Sequence, residues 1–382
     1  MSGLRDAESI KSYRSVGRFI SSLPSYSPST CCTLPLALFL SLLDSILMTS
    51  MSFSLSPSQL LCIFIVVNTF AAFTNHIDDT DEVYGYYEPL HYLLFSTGMQ
   101  TWEYAPQYAL RSYSFLAPLY LVGALLRDFT SLSKVEIFYS LRVCIGCFYA
   151  YCESQFVYTA AKQLDIPFAL PIMTVLFILS PGIFYSSTSF LPSAFCASFL
   201  MLAFTSWSKD RRLIMVFWGS LAAIWTGWPF CCLLFLPFGI DALLHSRTLR
   251  IAFFFCLQSL LVLITVLLAC TLIDGLAYRR VTSPPLNILL YNAIGGRGDE
   301  LYGVEPAAYY IRNLFLTMGL CWPLAAAAPL LMLHQIISKT KESIFRRSTV
   351  VISSSFILWL VVLFRRPHKV ILYTSSFRGC LS

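Results

Sequence analysis

Charge is what this sequence has little of. Asp, Glu, Lys and Arg make up 12% of its 382 residues, and 57% of the chain is hydrophobic. Soluble domains carry about 25% charged residues, so an ordinary soluble domain is excluded. The chain has no Asn-x-Ser/Thr sequence, so no glycan acceptor marks its topology. It has no glycine-rich phosphate loop, which removes the nucleotide-sugar enzymes built on Rossmann-like domains. No internal repeat relates two halves, which counts against transporters built that way. Cys144 and Cys147, two of thirteen cysteines, have C-x-x-C spacing without a second pair nearby, and their apolar context favours packing over redox or metal chemistry. The net charge of +6 comes from basic clusters between apolar runs, so it reports topology and not nucleic acid.

What is present is a series of apolar runs of spanning length, roughly 20 residues, recurring from Leu60 onward. The expected fold class is an all-α polytopic membrane protein with about eight or nine spans. Residues 1–57 form an N-terminal extension, polar and Ser-rich to Thr30 and apolar from Cys31 to Met51, with Met48 and Met51 as alternative starts. Spans are expected over Ser58 to Thr74, Tyr108 to Leu126 and Val135 to Ala161. Pro167 to Trp207 is long enough for two, broken at Ser180-Pro181-Gly182, and Leu213 to Leu244 is interrupted at Gly227-Trp228-Pro229. Ile251 to Asp274, Leu314 to Ile337 and Thr349 to Phe364 complete the set. Basic turns at Arg127, Lys209, Arg247 and Lys339 are expected on the cytoplasmic side. An acidic loop at 75–107 and a second large loop at 275–312 then share the opposite side. One conflict stands: three spans between Lys134 and Lys209 would flip the turn that follows.

The acidic loop carries the chemistry. Asp78, Asp79, Asp81, Glu82, Glu88 and Glu103 fall within it, and neither Lys nor Arg appears before Arg111. Three readings fit these acids. A carboxylate could take the proton of an attacking hydroxyl. Asp79-Thr80-Asp81 could share a divalent ion. Alternatively, the acids could cap short interfacial helices. Tyr84, Tyr86, Tyr87, His91, Tyr92, Trp102 and Tyr104 interleave with them, and flat aromatic faces beside carboxylates suit sugar rings. An interfacial aromatic belt is the alternative.

His76-Ile77, Asp79, Asp81-Glu82, Tyr87-Glu88-Pro89-Leu90-His91-Tyr92, Gln100-Thr101-Trp102-Glu103-Tyr104 and Arg111-Ser112-Tyr113 resemble the first lumenal loop of glycosyltransferase family 22. The likeness is to its dolichyl-phosphate-mannose-dependent alpha-1,2-mannosyltransferases of asparagine-linked glycosylation, which have the GT-C membrane fold. Phe184 to Phe195, Gly227-Trp228-Pro229-Phe230, and the stretch from Pro285-Leu286-Asn287-Ile288 to Glu305-Pro306 resemble later parts of that family. The likeness covers roughly residues 75–369.

The resemblance implies an inverting mannosyltransferase in the endoplasmic reticulum membrane, multi-pass, with its active site lumenal. Its donor would be dolichyl-phosphate-mannose and its acceptor a lipid-linked oligosaccharide, in a setting of membrane lipid. No cofactor, metal or nucleic acid is expected. The catalytic base would be Asp81, with Asp79 second and Glu82 third. Arg111, His368 and Lys369 would meet the leaving phosphate, and Glu88, His91, Trp102 and Glu103 would bind substrate or order the loop. The sequence departs from the family after Pro367-His368-Lys369, where Val370-Ile371-Leu372 replaces the rest of a His-Lys-Glu-Glu-Arg motif. Residues 58–369 are thus expected to form the GT-C region and 370–382 a divergent, shortened tail. The alternatives are a related enzyme of glycosylphosphatidylinositol assembly, a truncated inactive form and, last, a transporter.

Overall fold

The computed structural model describes residues 55–164, 168–294, 306, 308–319, 321–338 and 343–365. The extension before residue 55 and the tail after 365 lie outside the described residues. Helix α1 is Pro57–Thr74, followed by α2, Glu88–Phe95, α3, Tyr113–Phe129, and α4, Lys134–Leu164. Then come α5, Ala169–Leu179, α6, Pro181–Ser186, α7, Pro192–Ser208, α8, Arg212–Ser220, α9, Cys232–Leu244, and α10, Leu249–Tyr278. The last four are α11, Pro284–Ile294, α12, Ala308–Met318, α13, Cys321–Ser338, and α14, Ser343–Arg365. No strand occurs among the described residues. By length and composition, α1, α4, α10 and the Arg347–Phe364 part of α14 can each cross a membrane. The protein is membrane-embedded.

Helix α1 begins as its sequence dictates. Ser56 accepts from the Gln59 N–H, the Gln59 side chain accepts from the Ser56 N–H, and Pro57 occupies the first helical position, where its missing N–H is no loss. The helix then packs along α4 in the antiparallel sense. Asn68 Nδ2 donates to Glu153 at 2.8 Å, and the Asn75 carbonyl accepts from Arg142 at 2.5 Å. Arg142 therefore stands level with the end of α1. Lys134 lies eight residues earlier, ~12 Å further out at 1.5 Å per residue, on the acidic side.

That geometry corrects the expected span from Tyr108 to Leu126. Helix α3 runs beside α2. The Arg127 guanidinium donates to the Leu94 carbonyl, and Lys134 sits 4.9 Å over the Phe95 ring. The two helices approach so closely that a Cβ at Gly123 would meet Leu94 Cδ1 at 2.8 Å. At the other end, Phe115 contacts Phe195, with ring centroids 5.2 Å apart. Both ends of α3 thus stay on the acidic side, and the turn at Arg127 is not opposite it. The physical reason is that this helix is apolar on both sides, one taken up by neighbouring helices and the other left to face lipid. Phe115, Leu116 and Leu119 are buried, while Leu121, Leu125 and Phe129 form an exposed apolar stripe, as in a helix lying along a membrane interface.

With α3 off the crossing path, the conflict in the span count disappears. Helices α4, α5 with α6, and α7 carry the chain to a turn at Lys209 that lies opposite the acidic side. The expected break at Ser180-Pro181-Gly182 is the junction of α5 and α6. The break at Gly227-Trp228-Pro229 is a turn with Gly227 at φ +69°. The main core gathers Tyr86, Leu90, Phe115, Leu141, Phe195 and Phe199, so the acidic segment is packed onto the ends of the spans.

Candidate functional site

Three neighbouring acids occupy three environments. Asp79 caps the helical turn Thr80–Glu82, its Oδ1 accepting from the N–H groups of Asp81 at 2.8 Å and Glu82 at 3.4 Å. Asp81 is exposed. Glu82 points inward and is buried, and its Oε1 accepts from the Phe190 N–H at 2.8 Å. Burial pushes the Asp79 carboxyl above its ordinary value against the pull of the Asp81 N–H bond. Burial raises Glu82 likewise, against the Phe190 bond. A π-helical turn, Val83–Tyr87, follows directly, a form that occurs mostly as single turns and often at functional sites.

Arg111 faces this cluster. Its Nε lies 2.9 Å from Glu103 Oε2, it donates to the Tyr86 hydroxyl, and its guanidinium stands 5.0 Å from the Tyr86 ring centroid. Burial works against its charge, but Tyr86 and Glu103 outweigh that and hold its pKa above the ordinary value, with Asp81 contributing. Burial pushes the Tyr86 hydroxyl up to about 12, so it stays neutral while its oxygen accepts from Arg111. Distant residues fix the Arg111 backbone. Tyr278 Oη donates to its carbonyl at 2.6 Å, and the next residue, Ser112, donates to Asp274 at 2.9 Å. The Ser114 N–H reaches the same carboxylate at 2.9 Å. Asn287 Nδ2, from the second loop, donates to the carbonyl of Ala109 at 3.0 Å, and this secures a residue at φ +44°.

Glu88 and His91 hold the bend after α2. Glu88 Oε2 accepts from the Met99 N–H at 3.2 Å, and His91 Nδ1 lies 2.7 Å from the Thr97 carbonyl. Trp102 is exposed, with Tyr108 edge-on at 5.1 Å and Tyr291 at 6.3 Å, which makes an open aromatic shelf. His368 and Lys369 lie outside the described residues. The first loop thus brings Asp79, Asp81, Glu82, Glu103 and Arg111 together, while Glu88, His91 and Trp102 form its flank.

Sequence reasoning missed Asp274, Tyr278 and the role of Arg142. The signal for Arg142 was available: an ionisable residue inside an apolar run is functional by default. Its side chain is buried, donates to the Asn75 carbonyl and, at 3.0 Å, to Thr188 Oγ1, and stands 5.5 Å from the Phe138 ring centroid. It does not meet Glu153, which takes Asn68 instead. Around it a narrow pocket is lined by His76, Asp78, Asp79, Glu82, Tyr185 and Ser189. Chemically, the exposed rim at Asp81 can accept a proton from a hydroxyl, and Arg111 offers positive charge to an anion.

A model of the Alg9-like mannosyltransferase family matches residues 59–370. The alpha-1,2-mannosyltransferase alg9 of Schizosaccharomyces pombe is 36% identical over 302 residues, covering 77% of this chain and 52% of that protein. The human alpha-1,2-mannosyltransferase ALG9 is 34% identical over 302 residues, 78% of this chain and 48% of its own. GPI mannosyltransferase 3 of Candida albicans is 28% identical over 258 residues, 65% of this chain and 50% of its own. The chain spans about half the length of the curated relatives it matches. No solved structure matches it with significance.

Proposed function

From the premise that the chain belongs to the Alg9-like mannosyltransferase family, we propose that it makes an alpha-1,2 linkage by moving mannose from dolichyl-phosphate-mannose to a lipid-linked oligosaccharide. The reaction takes place at the lumenal face of the endoplasmic reticulum membrane. One observation carries this reading: an exposed carboxylate, Asp81, lies within electrostatic reach of a partly buried guanidinium, Arg111, on a segment folded against the span ends.

The donor linkage is beta and the product alpha, so the anomeric carbon inverts in one displacement with a single base. Asp81 takes the acceptor hydroxyl proton as that oxygen attacks. Asp79 is already occupied as a helix cap and Glu82 is turned inward, which leaves Asp81 open to the acceptor. The departing phosphate gains negative charge and needs donors, not a strong acid. Arg111 supplies them, with His368 and Lys369 assigned to the same anion. Trp102 offers a stacking face to the acceptor sugars, and Glu88, His91 and Glu103 keep that flank in place.

The test is complementation in cells lacking the alpha-1,2-mannosyltransferase, with lipid-linked oligosaccharides sized for this chain and for Asp81→Asn. The chain is expected to extend the glycan, and Asp81→Asn to lose about 100-fold or more of the transfer. Transfer undiminished in Asp81→Asn would overturn the assignment.

A further inference from the structure

The pocket around Arg142 lies beside the Asp81 and Arg111 pair and is not used by the chemistry above. Two of the guanidinium's nitrogens are committed to Asn75 and Thr188. Its Nε–H has no acceptor although the residue is 3% exposed. A buried N–H left without an acceptor is costly, so a native fold tends to supply one, from protein, water or a bound group. Arg142 is among the charges acting on the buried Glu82 carboxylate, while its own hydrogen bonds go to Asn75 and Thr188. Between these opposite charges the pocket is narrow, with room for a water-sized group and not for a sugar ring. Three carboxylates, Asp78, Asp79 and Glu82, line it against Arg142 and His76. That balance repels a phosphate and suits a neutral hydroxyl, which can accept from a guanidinium and donate to a carboxylate at once.

We propose that this pocket reads one hydroxyl of the transferred hexose, the Arg142 Nε–H donating to the sugar oxygen and the Glu82 carboxylate accepting the hydroxyl proton. The assignment rests on the mannosyltransferase reading and deepens it: Asp81 and Arg111 act on the bonds that change, and Arg142 and Glu82 select the sugar.

The experiment measures binding, separately from transfer. The full chain in lipid nanodiscs is titrated with polyprenyl-phosphate-mannose, with each of its singly deoxygenated forms, and with bare polyprenyl phosphate. One deoxygenated form is expected to bind about 10- to 100-fold more weakly than the parent, the range for a hydrogen bond to a charged group. Arg142→Lys keeps a charge that can reach Asn75 and Thr188 but has no Nε–H, so it is expected to bind parent and deoxygenated form alike while holding bare polyprenyl phosphate as well as the wild type does. Should Arg142→Lys not fold, Glu82→Gln is isosteric and is expected to shrink the same discrimination about tenfold. Equal binding of every deoxygenated form by the wild type, or unchanged discrimination in the variants, overturns the subsite and leaves Arg142 a structural residue holding a water. Failed transfer in cells with discrimination intact removes the catalytic reading and keeps the subsite. Flat binding with transfer intact does the reverse.

Discussion

Glu82 carries a carboxyl into a place water barely reaches, and this sets a pH dependence with a definite sign. Burial holds its pKa above the ordinary 4.5. Below that value the group is protonated in the folded and unfolded chain alike. As pH rises past it, the unfolded chain releases its proton first, so stability is lost until the folded group has also ionised, and then the loss levels off. Glu82→Gln does not titrate. Its thermal unfolding midpoint is therefore expected to gain on the wild type as pH rises from about 4.5 and then to run parallel with it; a gap that stays constant from about pH 4 to 7 would sink the argument. Asp79 acts in the same direction. At this scale the sequence revealed which residues matter more than what each does. The cluster from Asp78 to Glu82 was legible because so few charges surround it. That Glu82 turns inward was not, because its partner, Phe190, is 108 residues away. Arg142 was visible as a misplaced charge, but its acceptors come from two other parts of the chain.

Helix α3 shows the limit of reading elements from composition. An apolar window counts methyl groups and cannot see that half of them face α2 and half an interface, so an interfacial helix and a crossing helix score alike. The correct path depends on α1 packing directly against α4, a contact between segments separated by the whole acidic stretch. A single-residue glycan tag tests it. Ser131→Asn places an Asn-Leu-Ser acceptor in the exposed turn before α4. Ser246→Asn places an Asn-Arg-Thr acceptor in the turn before α10. Expressed in cells, the first is expected to gain one glycan, read as an endoglycosidase-sensitive mobility shift, and the second none. A glycan on Ser246→Asn alone would restore the crossing role of α3. The breaks at Pro181 and Gly227, by contrast, were legible, since proline and glycine act on their own backbone whatever packs beside them.

At the scale of the whole molecule, the end opposite the acidic site is fastened by Asp241 on α9. Its carboxylate accepts from Trp207 Nε1 on α7 at 2.7 Å and from Arg347 on α14 at 2.6 Å. The Arg347 guanidinium also stands 5.1 Å from the Trp207 ring centroid. Asp241→Ala strands a buried indole N–H and a half-exposed guanidinium, and is expected to cost about 2 to 4 kcal/mol, measured as a fall in the unfolding midpoint and faster proteolysis near α14. An unchanged midpoint would mean that apolar packing alone binds the three helices. The placement of α3 along the interface bears on something larger than local packing, namely parity. Each crossing inverts the delivery of all that follows, so the orientation of the later chain is an odd-or-even count settled during synthesis. Were α3 to slip through the bilayer, Phe190, Trp225 and Asp274 would emerge on the face away from Asp79, Asp81 and Arg111, and no change within the acidic stretch could bring the two halves of the site together again.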